Sequence, residues 1–256
     1  IYTLSLHDAL PIWLTLSLVW FNLLLIFQRD RTQRRRLARR TISASFRLFL
    51  AVVRGAGVLD YRFNNLDVLR AERGCLVIAN HPSLLDYVLL ASVMNENDCL
   101  VKSALLRNPF VSGVIRAADY LINSEADTLL AASQQRLSQG DTLLIFPEGT
   151  RTRVGEAMTL QRGAANIAVR CNSAVRVVVI HCSERMLDKQ SSWYNVPTNK
   201  PVFTVDVRER INIHDFYDAS QHEPALAARQ LNRHMQHQLT TGLQSLSGTK
   251  DASALS

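Results

Sequence analysis

Two short apolar runs, each cut off by a polar turn, constrain this chain more than any other feature. Residues 75–79 read CLVIA and stop at Asn80-His81-Pro82, and residues 142–146 read TLLIF and stop at Pro147. Runs this short, with no polar alternation, fit strands covered on both faces. Residues 84–94, LLDYVLLASVM, then read as a helix, as do residues 161–171. Residues 175–180, VRVVVI, and 202–207, VFTVDV, read as further strands. Strands alternating with helices predict an α/β domain, its sheet mostly parallel and flanked by helices. Residues 224–246 open on Pro224 and set Leu231, Met235, Leu239, Leu243 and Leu246 along one side, the pattern of a closing amphipathic helix. The domain is predicted over 59–246, with a disordered tail over the small, polar residues 247–256.

The N-terminal part has a different character. Residues 1–12, IYTLSLHDALPI, begin without Met and resemble the translation of a common sequencing adapter. They are expected to be an assembly artefact and are set aside from fold reasoning. Residues 13–27, WLTLSLVWFNLLLIF, are almost uninterrupted apolar. As a helix they would span about 22 Å, short of the roughly 30 Å hydrocarbon core. Standing alone, the stretch fits an interfacial or buried helix; as the tail of a truncated hydrophobic segment, 13–28 is expected to be a membrane segment, the end of a transmembrane helix. The next stretch, 29–58, is expected to be a basic juxtamembrane helical region.

Formal net charge is +7, and it is concentrated: residues 29–40, RDRTQRRRLARR, hold seven Arg and one Asp. An Arg run directly after an apolar segment fits a cytoplasmic flank, where each Arg adds about 1 kcal/mol of attraction to anionic lipid. Membrane lipids are the expected partner. Nucleic acid is not, because the run adjoins an apolar segment and lacks interleaved aromatic residues. Cys75, Cys99, Cys171 and Cys182 have no metal-ligand spacing and no accompanying His cluster. Reduced thiols, with no metal site, are expected.

His81 and Asp86 frame Asn80-His81-Pro82-Ser83-Leu84-Leu85-Asp86, where a strand gives way to a helix. Beyond the carboxyl ends of parallel strands is where ligands bind in open α/β sheets. On one continuous helix the two side chains would point about 140° apart. Pro82 disfavours helical geometry at His81, so the chain can instead fold the two together. A neutral imidazole can then take a hydroxyl proton while the carboxylate fixes its tautomer. The same residues also read as a helix start, with Ser83 capping and Asp86 reaching back. Ser83 can do both jobs.

The second block, Phe146-Pro147-Glu148-Gly149-Thr150-Arg151, also follows a strand. Gly149 permits a positive φ, and Arg151 offers a planar fork suited to phosphate. A surface turn explains Pro-Glu-Gly-Thr equally well when it stands alone. Together, the two blocks resemble those of the glycerolipid acyltransferase family, whose best-known members are 1-acylglycerol-3-phosphate acyltransferases. That family carries Asn-His-x-x-x-x-Asp followed by Phe-Pro-Glu-Gly-Thr-Arg, and this chain matches both, with the resemblance covering roughly residues 60–210.

The resemblance implies an O-acyltransferase of phospholipid biosynthesis on the cytoplasmic face of a bacterial inner membrane. It implies acyl-CoA or acyl-carrier protein as donor, a lyso-glycerolipid hydroxyl as acceptor, and no metal or other cofactor. His81 would be the base and Asp86 its partner. Asn80, Ser83, Lys102, Glu148, Gly149, Thr150 and Arg151 would bind substrate. Lys102 and Pro109-Phe110 match a stretch between the blocks. Two departures bear on the acceptor: Ser124 stands where the family has an Arg that helps bind it, and residues 175–180 lack the family's Pro. Two alternatives therefore stand beside the first reading. One is transfer to a non-phosphorylated or aryl-polyene-type acceptor, with which the surroundings of Trp193-Tyr194 and Pro197 are compatible. The other is a non-catalytic membrane lipid-binding module.

Overall fold

A computed structural model describes residues 19–94, 97–107, 109–123, 125–150, 157–184, 186, 197–220 and 223–253. The domain opens with α1 (Phe21–Phe27), α2 (Arg31–Gly55), β1 (Asp60–Asn64), α3 (Leu66–Ala71), β2 (Leu76–Ala79) and α4 (Leu85–Val93). It continues with β3 (Asn97–Lys102), a 3-10 turn (Ser103–Arg107), α5 (Pro109–Ala118), β4 (Leu121–Asn123), α6 (Ala126–Ser138) and β5 (Thr142–Ile145). It closes with α7 (Gly163–Arg170), β6 (Val175–Cys182), β7 (Val202–Ile211), α8 (His214–Ala219) and α9 (Pro224–Ser253).

The seven strands form one sheet in the order β1-β7-β6-β2-β5-β3-β4. Every neighbouring pair is parallel except β6 and β7. Five strands (β6, β2, β5, β3 and β4) thus end at one edge, while β7 and β1 run the other way. The α/β prediction holds, and the apolar runs have the expected cause. Leu76 and Ile78 of β2 pack with α6, α7 and α9 on one face, while Val77 and Ala79 pack with α4 on the other. Alternate residues of β5 and β6 divide in the same way. A strand buried on both faces has no place for a polar residue.

The N-terminal segment is described only from residue 19 onward. Among the described residues, no helix is long and apolar enough to cross a membrane. The proposed artefact, residues 1–12, and residues 13–18 lie outside the described part. Asp30 breaks α1 from α2 because its carboxylate caps α2, accepting the N–H groups of Thr32 at 2.8 Å and Gln33 at 3.1 Å. Within the basic region 29–58, residues Arg31–Gly55 form the helix α2. It packs on α4 and α5. Arg39 is only 2 % exposed and meets Asp98 at 2.7 Å, with Asp141 at 3.6 Å. Arg35 reaches Asp141 at 3.2 Å, and Arg31 reaches Asp119 at 2.9 Å. Part of the Arg run is thus an internal brace between α2 and the sheet. Burial raises the Asp98 carboxyl to about 6, against the pull of Arg39.

The C-terminal helix runs further than expected, and the cysteines are as the sequence suggests. Helix α9 continues to Ser253, past the predicted start of a disordered tail at 247. Extending an established helix adds a hydrogen bond per residue fixed, so polar residues can follow the packed part. The packed part lies tight on β6: a Cβ on Gly242 would come within 2.6 Å of Val179 Cγ2. The four cysteines are free thiols, and burial pushes Cys75 and Cys99 up to about 12.

Candidate active site

The ends of β2 and β5 bring most of the predicted residues together. After Ala79 the chain turns before α4 begins at Leu85, and this break lets His81 face Asp86. His81 Nδ1 lies 2.9 Å from Asp86 Oδ2. The Asp86 side chain is fully buried, while the imidazole is 20 % exposed. Asp86 Oδ2 also accepts the Ser83 N–H at 2.7 Å, and Ser83 Oγ accepts the Leu85 N–H at 3.2 Å. The helix-start and His–Asp readings are therefore both realised, on a single carboxylate oxygen.

The ring is held from two more directions. Phe146, at the end of β5, stacks on it with centroids 4.4 Å apart and planes inclined by 28°. Glu148 Oε1 accepts the His81 backbone N–H at 2.7 Å. Asn80 fastens the start of the turn: its Nδ2 donates to Ile180 O and its Oδ1 accepts the Ile180 N–H, each at 2.7 Å. One side chain thereby continues the β2–β6 pairing for one more step beyond Ala79, whose strand partner is Val178.

These contacts revise two of the predicted substrate-binding residues. Asn80 is 2 % exposed with both amide atoms bound to backbone, and Ser83 is 1 % exposed with its hydroxyl committed to Leu85. Both brace the turn that carries His81. Glu148 is divided. Its Oε1 holds His81, while its buried Oε2 has no hydrogen-bond partner among the described residues. Burial raises this carboxyl to about 7, partly opposed by its His81 contact.

Gly149 and Thr150 lie exposed on the turn beyond, where Gly149 has φ +68° and its N–H bonds Phe146 O at 3.0 Å. A residue with a Cβ would be strained at that φ. Lys102 stands exposed at the end of β3, on the same edge of the sheet but with β5 between it and β2. Arg151, Ser124, Trp193 and Tyr194 lie outside the described residues. The Phe146 stack was not anticipated. Its only signal was an aromatic residue directly before Pro147 at a strand end.

Asp86 engages Nδ1, so in the neutral ring the proton-accepting nitrogen is Nε2. The arrangement can take a proton from a hydroxyl and steady the resulting imidazolium. Among the described residues, no cluster of His, Cys, Asp and Glu is arranged to hold a metal ion.

A family model described as Acyltransferase matches residues 60–183, which contain all of these side chains. Over 112 residues the chain is 31% identical to a 1-acyl-sn-glycerol-3-phosphate acyltransferase of Helicobacter pylori, covering 41% of this chain and 47% of that one. Over 143 residues it is 29% identical to human 1-acyl-sn-glycerol-3-phosphate acyltransferase beta, covering 53% and 48%. The chain thus spans about half the length of the curated relatives it matches. In fold it is similar to the 1-acyl-sn-glycerophosphate (LPA) acyltransferase PlsC of Thermotoga maritima, with a TM-score of 0.67 over 91% of each chain at 20% identity. Both sequence blocks thus fall inside the region that matches the Acyltransferase family model, within a fold similar to that of PlsC.

Proposed function

We propose that this chain is an O-acyltransferase that moves a fatty acyl group from a thioester donor to a hydroxyl of a lyso-glycerolipid such as 1-acylglycerol-3-phosphate. The observation that carries the reading is the His81–Asp86 pair, 2.9 Å apart at the carboxyl end of β2. His81 Nε2 takes the acceptor hydroxyl proton as that oxygen attacks the thioester carbonyl carbon. The tetrahedral intermediate then collapses, the C–S bond breaks, and the imidazolium returns the proton to the leaving thiolate. The products are an ester and a free thiol. No enzyme nucleophile is acylated, and the donor is acyl-CoA or acyl-carrier protein. Phe146 and Glu148 hold the ring and its backbone, and Thr150, Arg151 and Lys102 contact the acceptor headgroup. The curated relatives, named for 1-acyl-sn-glycerol-3-phosphate, support a phosphate-bearing acceptor.

The reaction takes place at a membrane surface, which this chain meets through apolar helix faces. In α1, Leu23, Ile26 and Phe27 face outward, with Phe27 76% exposed, while Phe21 and Leu24 pack inward. In α2, Leu37, Leu48 and Val52 are exposed too. Rows of this kind suit insertion at the lipid interface.

Thiol release from acyl-CoA and from acyl-carrier protein, measured over acceptors with and without a phosphate, tests the proposal. Release that depends on 1-acylglycerol-3-phosphate is expected. Release only with non-phosphorylated acceptors would reassign the acceptor. Lyso-lipid binding with no release from either donor would leave a lipid-binding module.

A further inference from the structure

Helix α9 lies outside the region that matches the family model, yet two of its side chains hold the segment that follows the Phe146–Arg151 block. Gln236 Nε2 donates to Met158 O at 2.7 Å, and Asn232 Nδ2 donates to Leu160 O at 3.4 Å. Residues 157–161 form neither helix nor strand. An irregular segment has no ladder partners, so the few bonds its carbonyls accept decide where it lies.

The two contacts share a register. Asn232 and Gln236 are four residues apart, which puts them on one face of α9 about 6 Å apart along its axis. Alternate carbonyls of an extended chain point the same way and are about 6.6 Å apart. The earlier amide meets the later carbonyl, so helix and segment run in opposite directions. Asn232 also carries a buried Oδ1 that has no hydrogen-bond partner among the described residues. An orphaned acceptor is destabilising, so stability alone does not account for an amide at this position.

The held segment is fastened in turn to the residues around Glu148. The Gln161 N–H donates to Pro147 O at 2.7 Å. A Cβ on Gly149 would meet Gln161 Cγ at 3.4 Å, so these two residues lie side by side. Glu148, between Pro147 and Gly149, accepts the His81 N–H at 2.7 Å. Contacts therefore run from α9 through residues 158–161 to the backbone of His81.

We propose that Asn232 and Gln236 are positioning residues for acyl transfer, fixing the Pro147–Thr150 turn where Glu148 meets the His81 backbone and Thr150 meets the acceptor headgroup. The kinetic consequence rests on the acyl-transfer reading, whereas the link from α9 to His81 does not. Both amides act through Met158–Gln161, at a distance from the substrate. A remote change that misplaces reacting groups by about 1 Å can cost about 10²-fold in rate.

The test compares the full-length variants Asn232→Leu and Gln236→Leu with wild type. Backbone amide exchange is followed by NMR, thermal unfolding gives Tm, and thiol release gives KM for 1-acylglycerol-3-phosphate and for the thioester donor that supports turnover. In both variants the His81 amide should exchange about tenfold faster, while the amides of Val77 and Ile78 keep their wild-type rates. KM for the acceptor should rise about fivefold with KM for the donor unchanged. Asn232→Leu should do so with a Tm no lower than wild type, because the orphaned oxygen is gone. An unchanged His81 amide in both variants, faster exchange that extends equally to β2, or equal rises in both KM values would each overturn the proposal. A wild-type chain that releases no thiol would remove the acyl-transfer reading instead, and the His81 amide would still decide whether α9 positions the turn.

Discussion

Asp86 Oδ2 stands 2.9 Å from His81 Nδ1 and 2.7 Å from the Ser83 nitrogen, so one oxygen both orients the ring and closes the turn that leads into α4. The two partners should therefore fail differently. His81→Ala should lower acyl transfer by about 10²–10⁴-fold, the usual contribution of a general base, and change stability by less than about 1 kcal/mol. Asp86→Asn should lose activity and also about 1–3 kcal/mol of stability, because the neutral amide oxygen holds the two donors more weakly and an NH2 group replaces the other buried oxygen. Thiol-release rates and urea unfolding of both variants check this. Equal destabilisation by the two would contradict it.

Asn80 and Ile180 exchange two hydrogen bonds across 100 residues of sequence. Asn80→Ala would leave both Ile180 backbone groups buried without that partner. A loss of about 2–4 kcal/mol is expected, together with a fall in kcat as the His81 turn loosens. A variant with wild-type Tm would show that the clamp is dispensable.

Glu148 gives the site a pH signature. Its folded value, about 7, lies above its ordinary 4.5, so the native state binds this proton more tightly than the unfolded chain. Its contribution to stability is present at low pH and is lost as pH rises through about 7. Glu148→Gln, which stays neutral, should gain stability relative to wild type between pH 5 and pH 8. The gain should be at most a few kcal/mol, at about 1.4 kcal/mol per unit. Parallel unfolding curves at the two pH values check this, and a constant difference between the proteins would refute it.

Arg39 and Asp98 form a buried pair, 2 % and 0% exposed. Arg39→Met should cost about 3–5 kcal/mol, since among the described residues it leaves the carboxylate one cation, Arg136 at 3.3 Å, beside the backbone N–H groups of Cys99 and Leu121. The Asp98 carboxyl already titrates at about 6, and losing Arg39 raises it further. The deficit should therefore be larger at pH 8 than at pH 5, and Asp98→Asn should restore part of it. Chemical unfolding of the single and double variants at both pH values measures this. A deficit independent of pH would mean that packing, and not charge, dominates.

The strands legible in the sequence were β2, β5, β6 and β7, each rich in apolar residues. The missed ones have physical reasons. β1 and β4 lie at the sheet edges, short and only partly buried. β3 starts with Asn97 and Asp98, polar residues that are buried, Asp98 against Arg39, and that hydropathy alone reads as a loop. The His81–Asp86 pair was legible because its members lie within one turn of chain. Asn80 was read as a ligand contact because its true partner, Ile180, is a backbone far along the sequence. The bracing role of Arg31, Arg35 and Arg39 within the Arg run was not legible for the same reason: Asp98, Asp119 and Asp141 are scattered, and only folding brings them to α2.

The ion pairs of Arg31, Arg35 and Arg39 make α2 a bolt and not a tether. A chain shortened to begin at β1 would retain both sequence blocks yet strand Asp98 and Asp141 without their α2 partners. Such a fragment should fail to yield a folded enzyme. The apolar faces of α1 and α2 are thereby tied, through the packing of α2, to α4, the element that follows the His81 turn. On the proposed lipid-facing role of those faces, the spacing of the arginines along α2 would fix the angle at which His81 meets its substrate.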